Sequence, residues 1–183
     1  MARIKHTKTE LKAQRDALSR FERYLPMLQL KKQQLQMEIH SLDVAVAEKA
    51  REEHSLKESM ESWLRLFSEP AGLENLVRLR SVETAEGNIA GVPIPELRGI
   101  VVDRAEIDLF ATPPWIDDAV DAIDKRIRLR VERDILDEQR RRIAEELRIT
   151  SQRVNLFEKV KIPQCRENIR IIKINKIDHR VVY

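Results

Sequence analysis

The chain has 183 residues, 36% of them charged and only 4% aromatic, with a net charge of +3. So few large apolar groups exclude a thick globular core but suffice for a thin seam between two helices. One cysteine, Cys165, excludes an intrachain disulfide, and no apolar run reaches the roughly 18 residues a membrane helix needs.

The helix breakers are concentrated. All four glycines (Gly72, Gly87, Gly91, Gly99) and five of seven prolines (Pro70, Pro93, Pro95, Pro113, Pro114) fall between residues 70 and 114. The chain is expected to run out as a helix, turn, and run back. The predicted fold is mainly α: a long antiparallel two-helix coiled coil with a short β-hairpin-containing insertion at the bend. The segments expected are an N-terminal helix over 1–69, a hairpin and loop region over 70–113, and a C-terminal helix and tail over 114–183.

Met1–His6 hold no apolar signal core, so a reducing, cytoplasmic setting is expected. Thr7-Lys8-Thr9-Glu10 reads as a capping box that opens the first helix. One heptad column then runs Leu11, Leu18, Leu25, Lys32, Ile39, Val46, Glu53, Met60, Phe67. The second runs Gln14, Phe21, Leu28, Leu35, Leu42, Lys49, Leu56, Trp63. Thirteen of these 17 positions are apolar in one unbroken register, which predicts a coiled-coil helix ending before Pro70. Such a helix of about 60 residues is ~90 Å long. Pro26 in this arm and Pro163 in the other each remove a backbone donor and are expected to kink their helices.

Between the helices, Val77–Thr84 and Asn88–Ile94 read as strands joined by a turn at Ala85-Glu86-Gly87. Pro93 and Pro95 confine the second strand to an edge. Ile100–Val102 and Ile107–Phe110 are further extended candidates. A ribbon this small needs a helix or a partner to pack on. The second helix is expected to start at Thr112 as cap, with Pro113 in its first turn and Asp117 and Asp118 complementing its dipole. Its stripe passes through Ile116, Val120, Ile123, Ile127, Val131 and Ile135, then Leu136, Ile143, Leu147, Val154 and Phe157. Three steps of four from Ile123 form a stutter that unwinds the supercoil locally. If residues 69 and 113 face each other, facing positions sum to about 182.

The charge is unevenly placed. Residues 1–36 carry nine Lys/Arg against three Asp/Glu and residues 151–183 carry eight against three, so the ends hold +11 and residues 37–150 hold −8. In a helical hairpin both ends meet at one tip, whose field calls for a partner of opposite sign. No glycine-rich phosphate loop, no metal spacing among His6, His40, His54 and His179, and no base beside Cys165 is found. No catalytic residue, cofactor or metal is expected, and the chain reads as a non-enzyme.

The segment Gln152-Arg153-Val154-Asn155-Leu156-Phe157-Glu158-Lys159-Val160-Lys161-Ile162-Pro163, followed by Ile169-Arg170, resembles the C-terminal helix signature of the D subunit of V-type and archaeal-type ATPases. Thr7-Lys8-Thr9-Glu10-Leu11 and Val92-Pro93-Ile94-Pro95-Glu96-Leu97 are similar to that family's N-terminal and central motifs. Phe157 stands where the family usually has alanine or leucine. The resemblance implies a central rotor axle that couples ATP hydrolysis or synthesis in a catalytic hexamer to ion translocation through a membrane ring. Implied partners are the nucleotide-binding A and B subunits, the small rotor subunit (F), and the adaptor subunit (C/d) over the ring. No nucleic acid is implied, and contact with the membrane comes only through the complex, on its cytoplasmic side. Lys5, Lys8, Lys12, Arg15, Lys161, Arg166, Arg170 and Lys173 are the expected contacts in the hexamer cavity. Val82, Glu83, Thr84, Asn88, Ile89 and Val92 are those expected for the small rotor subunit.

Two alternatives have a physical basis. A prefoldin-like chaperone is also a helical hairpin with β-ribbons at the bend, but it calls for a shorter chain. Nucleic-acid binding through the basic tip calls for stacking aromatics, which the ends scarcely have.

Overall fold

A threonine starts the first helix. Thr7 Oγ1 accepts the Glu10 N–H at 3.1 Å, and Leu11 N–H donates to the Thr7 carbonyl at 3.0 Å, so Thr7 is the N-cap. Only this half of the expected capping box forms, because the Glu10 carboxylate accepts from Gln14 Nε2 instead, at 2.8 Å. The computed structural model describes residues 6–61, 76–106, 113 and 115–181, with side-chain surroundings as far as 175. Its elements are α1 (Lys8–Met60), β1 (Val77–Ile89), β2 (Val92–Arg104), α2 (Ile116–Leu156), a π-helical turn (Phe157–Lys161) and α3 (Ile162–Val181). The chain divides into two compact units, Met37–Ala144 and the paired segments Met1–Gln36 and Glu145–Tyr183.

In α1 every described position of both heptad columns is buried or half-buried, with Leu35 fully enclosed. The expected columns end at Trp63 and Phe67, which lie outside the described residues. Pro26 does not break the helix. Partners across the seam run antiparallel in each unit. In the terminal unit Gln14 meets Asn168, Glu22 meets Arg166 and Lys31 meets Glu146. In the other, Asp43 meets Arg140, Lys49 meets Glu132 and Glu53 meets Arg133. Gln14–Asn168, Asp43–Arg140 and Lys49–Glu132 fall within one residue of the expected sum.

Three of the four polar members of the heptad columns have counterparts. Gln14 Oε1 accepts from Asn168 at 3.2 Å, Lys49 pairs with Glu132 at 2.9 Å, and Glu53 pairs with Arg133. An apolar seam tolerates sliding by a heptad, whereas these pairs are made in one register only.

The hairpin differs from expectation at its turn. β1 continues through Ala85–Gly87, and the chain reverses at Ala90-Gly91, whose φ angles are 51° and 80°. A two-residue turn that matches strand twist needs positive φ at both positions, which glycine meets freely and alanine only under constraint. The Asn88 side-chain oxygen accepts the Gly91 N–H at 2.9 Å and holds the turn. Register shifts between Leu79 and Ser81, and between Glu83 and Thr84, leave Arg80 and Arg98 as the extra residues of two bulges. Ile100–Val102 form part of β2, as expected, while Ile107–Phe110 lie outside the described residues.

The ribbon packs on α2. At its base Val77, Ile116 and Val120 form a buried cluster flanked by Leu76, Val102, Trp115, Ile123 and Ile127. Further along, β2 carbonyls accept from α2 side chains: Ile100 O from Arg128, Pro95 O from Gln139 at 2.5 Å, and Pro93 O from Arg142. These contacts explain why two polar residues of α2 are buried: Asp124 accepts from Arg104 of β2, and Gln139 donates to the Pro95 carbonyl. The helix itself begins at Ile116; Thr112, its expected cap, is outside the described residues.

Sequence periodicity misses the π turn. One heptad after Val154 comes Lys161, yet the buried residue is Ile162, followed by Cys165 and Ile172. The extra residue accommodated between Phe157 and Lys161 rotates the seam by one position and leaves Lys161 half-buried at its margin. Ile162 N–H donates to the Phe157 carbonyl, five residues back. Pro163 follows directly, where a missing donor already interrupts the ladder. Here the backbone answers the proline by widening. Phe157 packs against Phe21 with ring centroids 4.9 Å apart and ring planes tilted by 57°.

Candidate functional site: two interaction surfaces

The terminal unit gathers the basic residues singled out from sequence. Lys8, Lys12 and Arg15 are exposed in the first turns of α1, and Arg166, Arg170 and Lys173 are exposed on α3, with Lys161 half-buried in the π turn. Lys5 lies outside the described residues. Two of the cations are engaged within the chain: Arg166 donates to Glu22 at 2.8 Å and Arg170 to Glu167 at 2.7 Å. Among the described residues Lys8, Lys12, Arg15, Lys161 and Lys173 have no ion-pair partner. Burial raises the Cys165 thiol pKa, although nearby Lys161 opposes this, so Cys165 is an inert seam residue.

The second surface is the hairpin with its bed on α2. Asp124, whose side chain is 7% exposed, accepts from both Arg104 and Arg128, and Arg104 also donates to Asp121 at 2.7 Å. Burial alone raises a carboxyl pKa, but bonds from Arg104 and Arg128 outweigh it and hold Asp124 below its ordinary 3.8. The same contacts raise Arg104. Glu138, bonded by Arg141 and then Arg142, is lowered to about 2. Arg142 also reaches the Pro93 carbonyl, tying this network to the ribbon.

Of the residues expected to meet the small rotor subunit, Glu83, Thr84 and Asn88 are exposed and Val82 and Ile89 half-buried. Val92 is 7% exposed, and its side chain is taken up inside the protein. Sequence reasoning missed Arg104, Asp124, Arg128, Gln139 and Arg142, which fix the ribbon. Their one visible signal was Asp124, a carboxylate adjoining the apolar stripe position Ile123.

Among the described residues no three His, Cys, Asp or Glu side chains converge as a metal site, and no helix is long and apolar enough to cross a membrane. Paired antiparallel helices, a braced ribbon and, among the described residues, a group of cations without ion-pair partners define a coiled-coil protein with a β-ribbon insertion. The sequence profile of the ATP synthase D subunit matches residues 10–175. The chain is 45% identical over 174 residues to the V-type ATP synthase D subunit of Borreliella burgdorferi, covering 95% of this chain and 86% of that protein. It is 33% identical over 183 residues to that of Chlamydia caviae, covering 98% and 88%, and to that of Chlamydia muridarum, covering 98% and 90%. The chain belongs to the ATP synthase D-subunit family, the central-stalk subunits of V-type ATPases.

Proposed function

We infer that this chain is the rotor axle of its complex and that its two surfaces face different partners. The terminal unit enters the cavity of a hexamer of alternating A and B subunits. The hairpin and its α2 bed hold the small rotor subunit (F) and stand toward the adaptor subunit (C/d) over the membrane ring. ATP chemistry belongs to the hexamer, and this chain takes part in none of its bond-making. It lies on the cytoplasmic side and reaches the membrane only through the complex.

The observation that carries this reading is the grouping of Lys8, Lys12, Arg15, Lys161 and Lys173 in the terminal unit, without ion pairs among the described residues. A field of one sign is compensated by a partner, counterions or solvent. A single axle inside a threefold collar cannot touch three equivalent subunits alike, which lets each be held in a different state. The seam pairs Gln14–Asn168, Lys49–Glu132 and Glu53–Arg133 support the same reading, because a register that cannot slip transmits torque.

The test is the affinity of the chain for the hexamer as salt rises. Compensation by the partner predicts steady weakening toward 1 M salt, where the screening length is about 3 Å. A flat dependence leaves the cations as mere solubilisers of the helix ends.

A further inference from the structure

The geometry points to the outer edge of β1, over Thr84–Ile89, as a strand-addition site whose occupant is an extended, alternating basic and apolar segment of the small rotor subunit. The inference rests on the reading above that the hairpin docks that subunit.

A two-stranded ribbon has two edges, and only one here is open to pairing. Opposite Glu86–Asn88, Pro93 and Pro95 leave the β2 edge without an N–H to offer. The carbonyls of Pro93, Pro95 and Ile100 already accept from Arg142, Gln139 and Arg128. β1 contains no proline, and among the described residues its backbone pairs with β2 alone. Alternate N–H and C=O groups of such a strand point outward and can template another chain.

The irregularities localise the open stretch. Bulges at Arg80 and Arg98 disturb the base of the ribbon, whereas Thr84–Ile89 pairs with Val92–Leu97 without a shift. Within that stretch Thr84, Glu86 and Asn88 are exposed on one face, and Ala85, Gly87 and Ile89 are half-buried on the other. Ala85 is small, which leaves room beside it for a large apolar side chain of an added strand, while the space over Gly87 is taken by the Glu96 side chain.

Charge chooses the occupant. Among the described residues Glu83 and Glu86 have no ion-pair partner. A second copy of β1 brings acidic residues against acidic ones, which opposes self-pairing. A strand carrying lysine or arginine opposite Glu86 meets attraction instead.

The experiment uses the full chain and the small rotor subunit of the same complex, with residue-resolved amide hydrogen exchange and a binding titration. Strand addition slows every second amide within Thr84–Ile89 by about tenfold or more, because the intervening amides already bond to β2. Glu86→Lys weakens binding about two- to fivefold, the scale of one exposed pair. Exchange unchanged over Thr84–Ile89, while deletion of residues 83–90 weakens binding, overturns strand addition and leaves the hairpin as the docking site. If that deletion changes nothing, or no binding occurs, both readings fall. Protection that appears in the chain alone and grows with its concentration assigns the edge to a second copy and also overturns the proposal.

Discussion

Replacing Asp124 with asparagine tests how the ribbon is held. The buried carboxylate accepts from Arg104 Nε at 3.1 Å, from Arg104 Nη2, and from Arg128 Nε at 2.9 Å. Bonds to a charged group contribute about 1.5–3 kcal/mol each when one is removed alone. Three do not add, because both arginines are 45% exposed and water replaces much of what they lose. The amide also retains one acceptor. The expected loss is therefore about 2–3 kcal/mol at pH 7. It is read by urea denaturation and by faster exchange of the Val101–Arg104 amides. The pH dependence has a definite sign. The folded-state pKa of Asp124 lies below its ordinary 3.8, so its stabilisation is complete above that value and disappears as pH falls through the lowered pKa. The gap between Asp124→Asn and the parent protein should hold from pH 7 to about pH 4 and close in stronger acid. A difference under about 0.5 kcal/mol at neutral pH, or one that persists unchanged in strong acid, refutes the reasoning.

Leu35→Ala removes a fully buried seam residue and should cost about 2–5 kcal/mol in chemical denaturation, and Leu35→Asp more. Carboxyl NMR should place the Glu138 titration near 2, and Arg142→Ala should move it back toward 4.5. Deleting Glu158 together with Pro163→Ala should convert the π turn to plain α-helix while Ile162, Cys165 and Ile172 stay in the seam. Deleting Gln152 should rotate the seam and melt the terminal unit, which far-ultraviolet circular dichroism distinguishes. Reversing Lys8, Lys12, Lys161 and Lys173 together should abolish most of the salt-sensitive assembly with the hexamer, while any one reversal has a small effect.

Much of the helical fold was legible because one rule governs it. A helix covered on one side shows its seam as a strict period, and α1 displays its period from Leu11 to Met60 in both heptad columns. α2 obeys two rules at once. Its first half packs against α1 and against the ribbon, so Asp124 and Gln139 are buried by bonds to β2 that a helical period does not reveal. The π turn was invisible for a related reason: Val160, Lys161 and Ile162 supply an apolar residue on either side of the lysine, and only the backbone decides which one enters the seam. The hairpin turn was misplaced because Ala85-Glu86-Gly87 has the composition of a turn, whereas Ala90-Gly91 depends on an alanine held at positive φ. Of the surfaces, the basic residues were readable as charge counts at the two ends. The braces on the ribbon were not, since Arg128, Gln139 and Arg142 look like ordinary solvent-facing residues of a charged helix until β2 lies against them.

Cross-linking within the assembled complex tests the polarity of the axle most directly. In a Cys165→Ala background, a photoreactive probe carried by Lys12→Cys should attach to the A or B subunits, and one carried by Glu86→Cys should attach to the small rotor subunit. Attachment in the opposite sense, with the terminal probe on the small rotor subunit and the hairpin probe on the hexamer, contradicts the account.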